Sequence, residues 1–241
     1  MATAARIESG VKIYGEGMAE VRALDGVTLE IPTGAFTAIM GPSGSGKSTL
    51  MHCMAGLDSL TDGETWIGDR ALGNLSDKEL TRLRRDRIGF VFQAFNLIPT
   101  LTGEENITLP IRIAGEEPDQ VWMDQVIDIL AIRDRLSHRP TEMSGGQQQR
   151  IAAARALVSR PDIIFGDEPS GNLDTASAAE LLGFLRRAVD EFDQTIVMVT
   201  HDPGAAAYAD KVVFLRDGRI VDELDDPTSD SVIDRLRTLE A

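Results

Sequence analysis

Ala35-Phe-Thr-Ala-Ile-Met40-Gly41-Pro42-Ser43-Gly44-Ser45-Gly46-Lys47-Ser48-Thr49-Leu50 is the stretch that decides the fold. Ala35 to Met40 alternates and branches like a short buried strand, and Ser48 to Leu57 reads as a helix beginning at the loop. Between them runs the spacing G-x-x-x-x-G-K-S. Small glycines there let backbone N–H groups curl around phosphate oxygens, Lys47 adds a cation, and the Ser48 hydroxyl can ligate Mg²⁺. The helix N-terminus faces the same anion. Strand, loop and helix thus stand in the order a phosphate site needs, which makes Gly41 to Thr49 candidate nucleotide-binding residues.

Further strand patterns at Ile88 to Phe92, Ile163 to Asp167, Thr195 to Thr200 and Val212 to Leu215 alternate with helical stretches, which predicts an α/β core with a largely parallel sheet. Asp217-Gly218 between apolar runs signals a tight hairpin. Between Gln93 and Ser144 the pattern turns helical, with Met123, Val126, Ile127 and Leu130 at i, i+3, i+4 and i+7.

Ser144-Gly145-Gly146-Gln147 precedes the amphipathic segment Gln148 to Val158, whose apolar stripe is Ile151, Ala154 and Val158. The tetrad reads as a second anion site, because it offers free N–H groups at another helix start. Taken alone it is equally a flexible turn. One chain would carry two sites for one kind of ligand, one of them lacking a lysine. A two-fold dimer, each tetrad covering the phosphate bound by the other chain's loop, reconciles them. The acidic pair Asp167-Glu168 follows Ile163-Ile164-Phe165. A metal role for Asp167 from the fixed strand end and a base role for Glu168 toward an attacking water divide the two carboxylates. His201 follows its own strand, at the edge where open α/β sheets place their ligand groups. His52 and His138 read as structural.

These motifs, present and in order from end to end, resemble the ATP-binding subunits of ABC transporters. The resemblance implies a P-loop NTPase (RecA-like) core, an antiparallel N-terminal β part and an inserted α-helical lobe over roughly residues 94–158 of a single domain spanning 1–241. It implies ATP and Mg²⁺ as cofactors, with the phosphates on Gly41 to Thr49 and the metal at Ser48, Gln93 and Asp167. Tyr14 would stack on adenine, though one aromatic in a glycine-flanked loop can also be simple packing. Glu168 would be the catalytic carboxylate, assisted by Lys47, Gln93 and the switch histidine His201. Ser144, Gly145, Gly146 and Gln147 would be the signature tetrad, and Ser170 to Asp174 the loop that crosses a homodimer. Met143, Gly166 and Ser170 depart mildly from the usual pattern, and Gly166 could loosen the end of the metal-binding strand.

The runs Arg87 to Pro99, Ser144 to Arg150, Asp167 to Asp174 and Val197 to Asp202 are similar to the lipoprotein-releasing, macrolide-exporter and cell-division branch (LolD, MacB, FtsE). That branch implies a membrane permease docking near Gln93 to Pro99, and export or extraction of a hydrophobic substrate or lipoprotein. The alternatives are a mechanical regulator of an extracytoplasmic cell-wall enzyme, or a soluble ABC ATPase.

Composition bounds the reading. The 241 residues can bury a sizeable core. A net charge of −15 argues against nucleic-acid binding, which needs a basic surface. No apolar run approaches the roughly 20 residues of a membrane helix, and the first residues show no hydrophobic signal core. The expected location is cytoplasmic, peripheral on the inner face of the cell membrane through the permease. The lone Cys53 reads as a small buried residue. Asp222 to Asp226 reads as a solvated acidic tail, and Arg82, Arg84, Arg85 and Arg87 as a solvated helix face, with a contact near the membrane partner as the alternative.

Overall fold

In the computed structural model, which describes residues 2–240, β1 (Thr3–Tyr14), β2 (Val21–Pro32) and β3 (Phe36–Met40) lead into α1 (Lys47–Met54). Next come β4 (Asp62–Ile67), β5 (Arg70–Ala71), α2 (Asp77–Arg87) and β6 (Ile88–Phe92). Three helices follow in succession: α3 (Gly103–Ile113), α4 (Gln120–Ile129) and α5 (Gly145–Leu157). The chain ends with β7 (Ile163–Asp167), α6 (Thr175–Phe192), β8 (Ile196–Val199), α7 (Pro203–Ala206), β9 (Lys211–Arg216), β10 (Arg219–Asp225) and α8 (Ser229–Glu240).

Two sheets result. One is antiparallel, in the order β2-β1-β4-β5. The other runs β10-β9-β3-β8-β7-β6 and is parallel except for the β9–β10 hairpin. The hairpin turns on Asp217 (φ 50°) and Gly218 (φ 74°), the left-handed pair a two-residue turn requires. The parallel strands read as continuous apolar runs because both faces are covered. Alternate residues take sides. Ile39, Phe165, Val197, Val199, Val213 and Leu215 meet α1 and the antiparallel sheet. Phe36, Met40, Ile164, Ile196, Met198 and Phe214 meet a core shared with α4, α5 and α6. Cys53 is buried as expected, and burial pushes its thiol up to about 12.

Helix starts follow local chemistry. Ser76 with Glu79, Thr102 with Glu105 and Ser144 with Gln147 form reciprocal capping boxes on α2, α3 and α5, each satisfying two otherwise orphaned N–H groups. Gly166 does not loosen its strand. It pairs with Val91 and Met198, and a Cβ there would sit 3.3 Å from the Pro169 ring, so its lack of a side chain makes room for that ring.

Two surface expectations fail. Asp222 to Asp225 belong to β10 rather than to a solvated tail, with Glu223 on Lys211 (2.9 Å) and Asp222 on Arg235 of α8 (2.8 Å). The arginine run is not simply a solvated face either, since Arg84 donates to the Gly56 carbonyl (2.7 Å) and Arg87 pairs with Asp162. The β10 partners lie across the hairpin and on the helix that follows, and the arginine partners lie 28 and 75 residues away.

Candidate functional site

The neighbouring order β3-β8-β7-β6 places four strand ends in a row, and each leads into a motif singled out above. After β3 comes the phosphate loop, after β8 His201, after β7 Glu168, and after β6 Gln93. Register keeps them level, because Asp167 pairs with Phe92 on one side and with Val199 on the other. This is the carboxyl edge, where open α/β sheets bind ligands.

A cavity of about 440 Å³ opens there, lined by Val21 to Ala23, much of the phosphate loop, Glu168, Val199 and His201. That volume falls within the range of small-molecule sites. The loop's shape depends on glycine at two points of close approach. A Cβ on Gly41 (φ 150°) would sit 2.0 Å from the Leu215 carbonyl oxygen, and one on Gly46 (φ 100°) 2.3 Å from that of Ala23. Lys47 folds back to donate to the carbonyls of Gly41 (2.9 Å) and Pro42 (2.8 Å). Burial lowers its ammonium pKa, while the charges of Glu168 and Asp167 act the other way. Its half-buried cation is thus held at the mouth of the loop.

The Ser48 hydroxyl donates to Asp167 Oδ1 over 3.3 Å. A hydroxyl and a carboxylate so placed are hard oxygen donors suited to Mg²⁺, which keeps several waters and borrows phosphate oxygens. His52, read from sequence as structural, stands nearby with Nε2 4.0 Å from Asp167 Oδ2. Gln93 follows Phe92, the register partner of Asp167, at the neighbouring strand end. Its amide nitrogen donates to Asn172 Oδ1 (3.1 Å), and Asn172 Nδ2 donates back to the Gln93 backbone carbonyl (3.0 Å), a mutual clasp that uses neither lone pair of the side-chain oxygen Oε1.

Glu168 adopts φ 49°, a left-handed conformation uncommon for a residue with a long side chain. Its N–H donates to the Val199 carbonyl and its own carbonyl accepts from Gly171, both at 2.9 Å, so the surrounding strand and loop hold it there. Such outliers cost about 1–3 kcal/mol and persist where neighbours over-determine them. Glu168 Oε1 lies 2.8 Å from His201 Nδ1. The imidazole is exposed and lines the cavity.

The tetrad Ser144 to Gln147 does not line that cavity. It forms the start of α5 itself, three residues before the predicted helix, because Ser144 is the cap. One expected anion donor is already used: Gln147 N–H donates to Ser144 Oγ (3.3 Å). The N–H groups of Gly145 and Gly146 stand in the same first turn. Asp174 caps α6, its Oδ1 accepting from Ala176 and Ser177 N–H and its Oδ2 from the Ser177 hydroxyl, so its carboxylate is committed within the chain. Tyr14 is 42% exposed and its hydroxyl donates to Asp58 Oδ2 (2.6 Å).

Sequence reasoning missed the residues that hold these loops. Asn106 is fully buried, accepting from Ile98 N–H (2.8 Å) and donating to the carbonyls of Ile98, Leu101 and Thr102. Arg155 donates to the carbonyls of Asn96 (2.6 Å) and Phe95 (3.1 Å). Together they pin the segment after Gln93, whose Leu97 packs inward while Ile98 stays exposed. Gln149, fully buried on α5, donates to the carbonyls of Phe92 (2.9 Å) and Pro169 and so ties the Gln93 and Glu168 loops to one helix. Its signal was a glutamine on the inward face of an apolar helix. Gln149→Leu strips both carbonyls of this donor. The expected loss is about 1–3 kcal/mol of stability, read as a Tm several degrees lower.

The model of the ABC transporter family matches residues 24–171. The bacitracin export ATP-binding protein BceA of Halalkalibacterium halodurans is 43% identical, over 88% of this chain and 85% of its own. The lipoprotein-releasing system ATP-binding protein LolD of Psychrobacter arcticus is 41% identical, over 86% and 93%. A solved ATP-binding cassette, dimeric in a post-hydrolysis state with ADP and Pi bound, matches with a TM-score of 0.82 at 38% identity, covering 92% of this chain and 98% of that one. The chain belongs to the ABC transporter family. Within it, the chain is an ATP-binding subunit and an ATPase.

Proposed function

We propose that two copies of this chain close around ATP, each covering with Ser144 to Gln147 the nucleotide held by the other's Gly41 to Thr49, and that hydrolysis drives a membrane permease docked near Gln93 to Pro99. The observation that carries this reading is the Glu168 carboxylate, fixed at a strand end on the wall of the phosphate-loop cavity and 2.8 Å from His201.

Phosphoryl transfer needs positioning and charge neutralisation more than covalent help. Lys47 and the loop amides neutralise phosphate charge, and Ser48 and Asp167 would hold Mg²⁺, which would supply further positive charge when bound. Glu168 orients the attacking water and accepts its proton. His201, oriented by its contact with Glu168, reaches the γ-phosphate. Tyr14 takes the base. Gln93, whose Oε1 the Asn172 contacts leave free, would join Ser48 and Asp167 in holding the metal and would so report the nucleotide to the permease. Asp174 keeps the dimer-crossing loop in place by capping α6.

The dimeric cassette with ADP and Pi supports the closed pair. The names of the bacitracin exporter and lipoprotein-releasing relatives support export or extraction over regulation of a cell-wall enzyme. No helix among the described residues is long and apolar enough to cross a membrane, which fits a motor whose pore lies in another chain at the inner face of the membrane.

The test is to capture Glu168→Gln protein with ATP and Mg²⁺ from detergent-solubilised membranes of its native host and identify what accompanies it by mass spectrometry. A permease with a large extracytoplasmic part is expected. Recovery with no membrane protein would contradict the transporter assignment.

A further inference from the structure

Tyr14 is held by charged groups that the nucleotide site as described does not use. At the end of β1, the Lys12 ammonium is buried and donates to Asp58 Oδ1 (2.6 Å) and to the Ser59 carbonyl (2.7 Å). It also lies 4.8 Å from the centre of the Tyr14 ring. Asp58 takes the Tyr14 hydroxyl on its other oxygen. The same strand end is stapled to the Asp58 loop twice more, by Ile13 N–H on Thr61 Oγ1 (3.0 Å) and by Thr61 N–H on the Val11 carbonyl (2.8 Å). Asp58 is in turn anchored to the phosphate-loop helix, its N–H donating to the His52 carbonyl (3.2 Å). Across the sheet, Tyr14 is the register partner of Val21, which is 61% exposed and lines the phosphate-loop cavity. Directly paired residues project to the same face of a sheet.

We infer that Lys12 and Asp58 are positioning residues that lock the Tyr14 ring beside Val21 as a preformed platform for the purine base, at a distance set by the phosphate-loop helix. The inference rests on the proposed base-binding role of Tyr14 and specifies what makes that role effective. Two features make the bracket suited to it. An exposed aromatic ring would otherwise sample several orientations, and ordering it on binding weakens affinity; a ring fixed beforehand avoids that loss. The Lys12 cation occupies one side of the ring through the attraction of an ammonium for an aromatic face. Burial works to raise the Asp58 pKa, yet hydrogen bonds from Lys12 and Tyr14 outweigh it and hold the carboxyl below its ordinary range. Asp58 therefore stays a charged acceptor across the neutral range.

The test compares ADP with inorganic pyrophosphate, each with Mg²⁺, by titration calorimetry on wild type, Tyr14→Phe and Tyr14→Ala. Tyr14→Phe keeps the ring and removes only the hydroxyl that Asp58 holds. The expected result is a Kd for ADP raised about three- to tenfold in Tyr14→Phe and further in Tyr14→Ala, with pyrophosphate unchanged in both. Wild-type ADP affinity in Tyr14→Phe with a loss in Tyr14→Ala would leave the ring as base platform and overturn the bracket. Wild-type affinity in Tyr14→Ala would overturn the platform reading itself. Equal losses for ADP and pyrophosphate would show a damaged phosphate loop and overturn both.

Discussion

Glu168→Gln protein binds ATP and all but stops hydrolysing it, with kcat lower by about 10²- to 10⁴-fold, the range general-base removal gives. The substitution preserves shape and the capacity to accept a hydrogen bond, so the loop built around φ 49° at this position and the contact to His201 need not rearrange. What it removes is the ability to take a proton from water. Glu168 stands on the cavity wall while its neighbour Asp167 faces Ser48, so the two carboxylates do not substitute for each other. Nucleotide affinity should stay within a few-fold of wild type, because none of the phosphate-loop donors is touched. Steady-state phosphate release and equilibrium ATP binding, measured on the same preparation, check both halves. Normal turnover would remove Glu168 from the chemistry.

Lys47→Ala has the opposite signature, a loss at binding. In the structure its ammonium is parked on the Gly41 and Pro42 carbonyls, on the loop where phosphate would sit. Hydrogen bonds to charged groups contribute about 1.5–3 kcal/mol each, so nucleotide Kd should rise roughly ten- to hundredfold. The loop's fold should survive, since its turns depend on Gly41 and Gly46 and on the contacts of Leu215 and Ala23 behind them. Calorimetric titration with ADP and a thermal melt separate the two effects. An unchanged Kd would mean that phosphates bind elsewhere.

The parts of this fold that sequence revealed are those whose physics is local. The phosphate loop is legible because glycine at fixed spacing, a lysine and a helix start are all needed within a few residues. The hairpin at Asp217-Gly218 is legible because two left-handed residues in succession define the turn. The buried strands were found to within a residue or two, since a parallel sheet covered on both faces leaves unbroken apolar runs. What escaped depends on partners that only the folded backbone brings together. The charges of β10 look like a tail until Lys211 and Arg235 are seen beside them. The roles of Arg155 and Gln149 are invisible because the carbonyls they meet lie 20 to 60 residues away, and that of Asn106 because it depends on how the nearby loop 98–102 folds over it. The start of α5 was placed late because two glycines disfavour a helix by propensity, whereas the Ser144–Gln147 capping box supports them there. The clasp of Gln93 by Asn172 is likewise hidden, a contact between loops that are 79 residues apart.

The central claim is that the complete site forms only when ATP brings two copies together. Light scattering on Glu168→Gln protein, with ATP and Mg²⁺ and separately with ADP and Mg²⁺, tests it most directly. The expected result is twice the 26.2 kDa chain mass with ATP and the single-chain mass with ADP. A single-chain mass in both, with ATP shown to be bound, would contradict it.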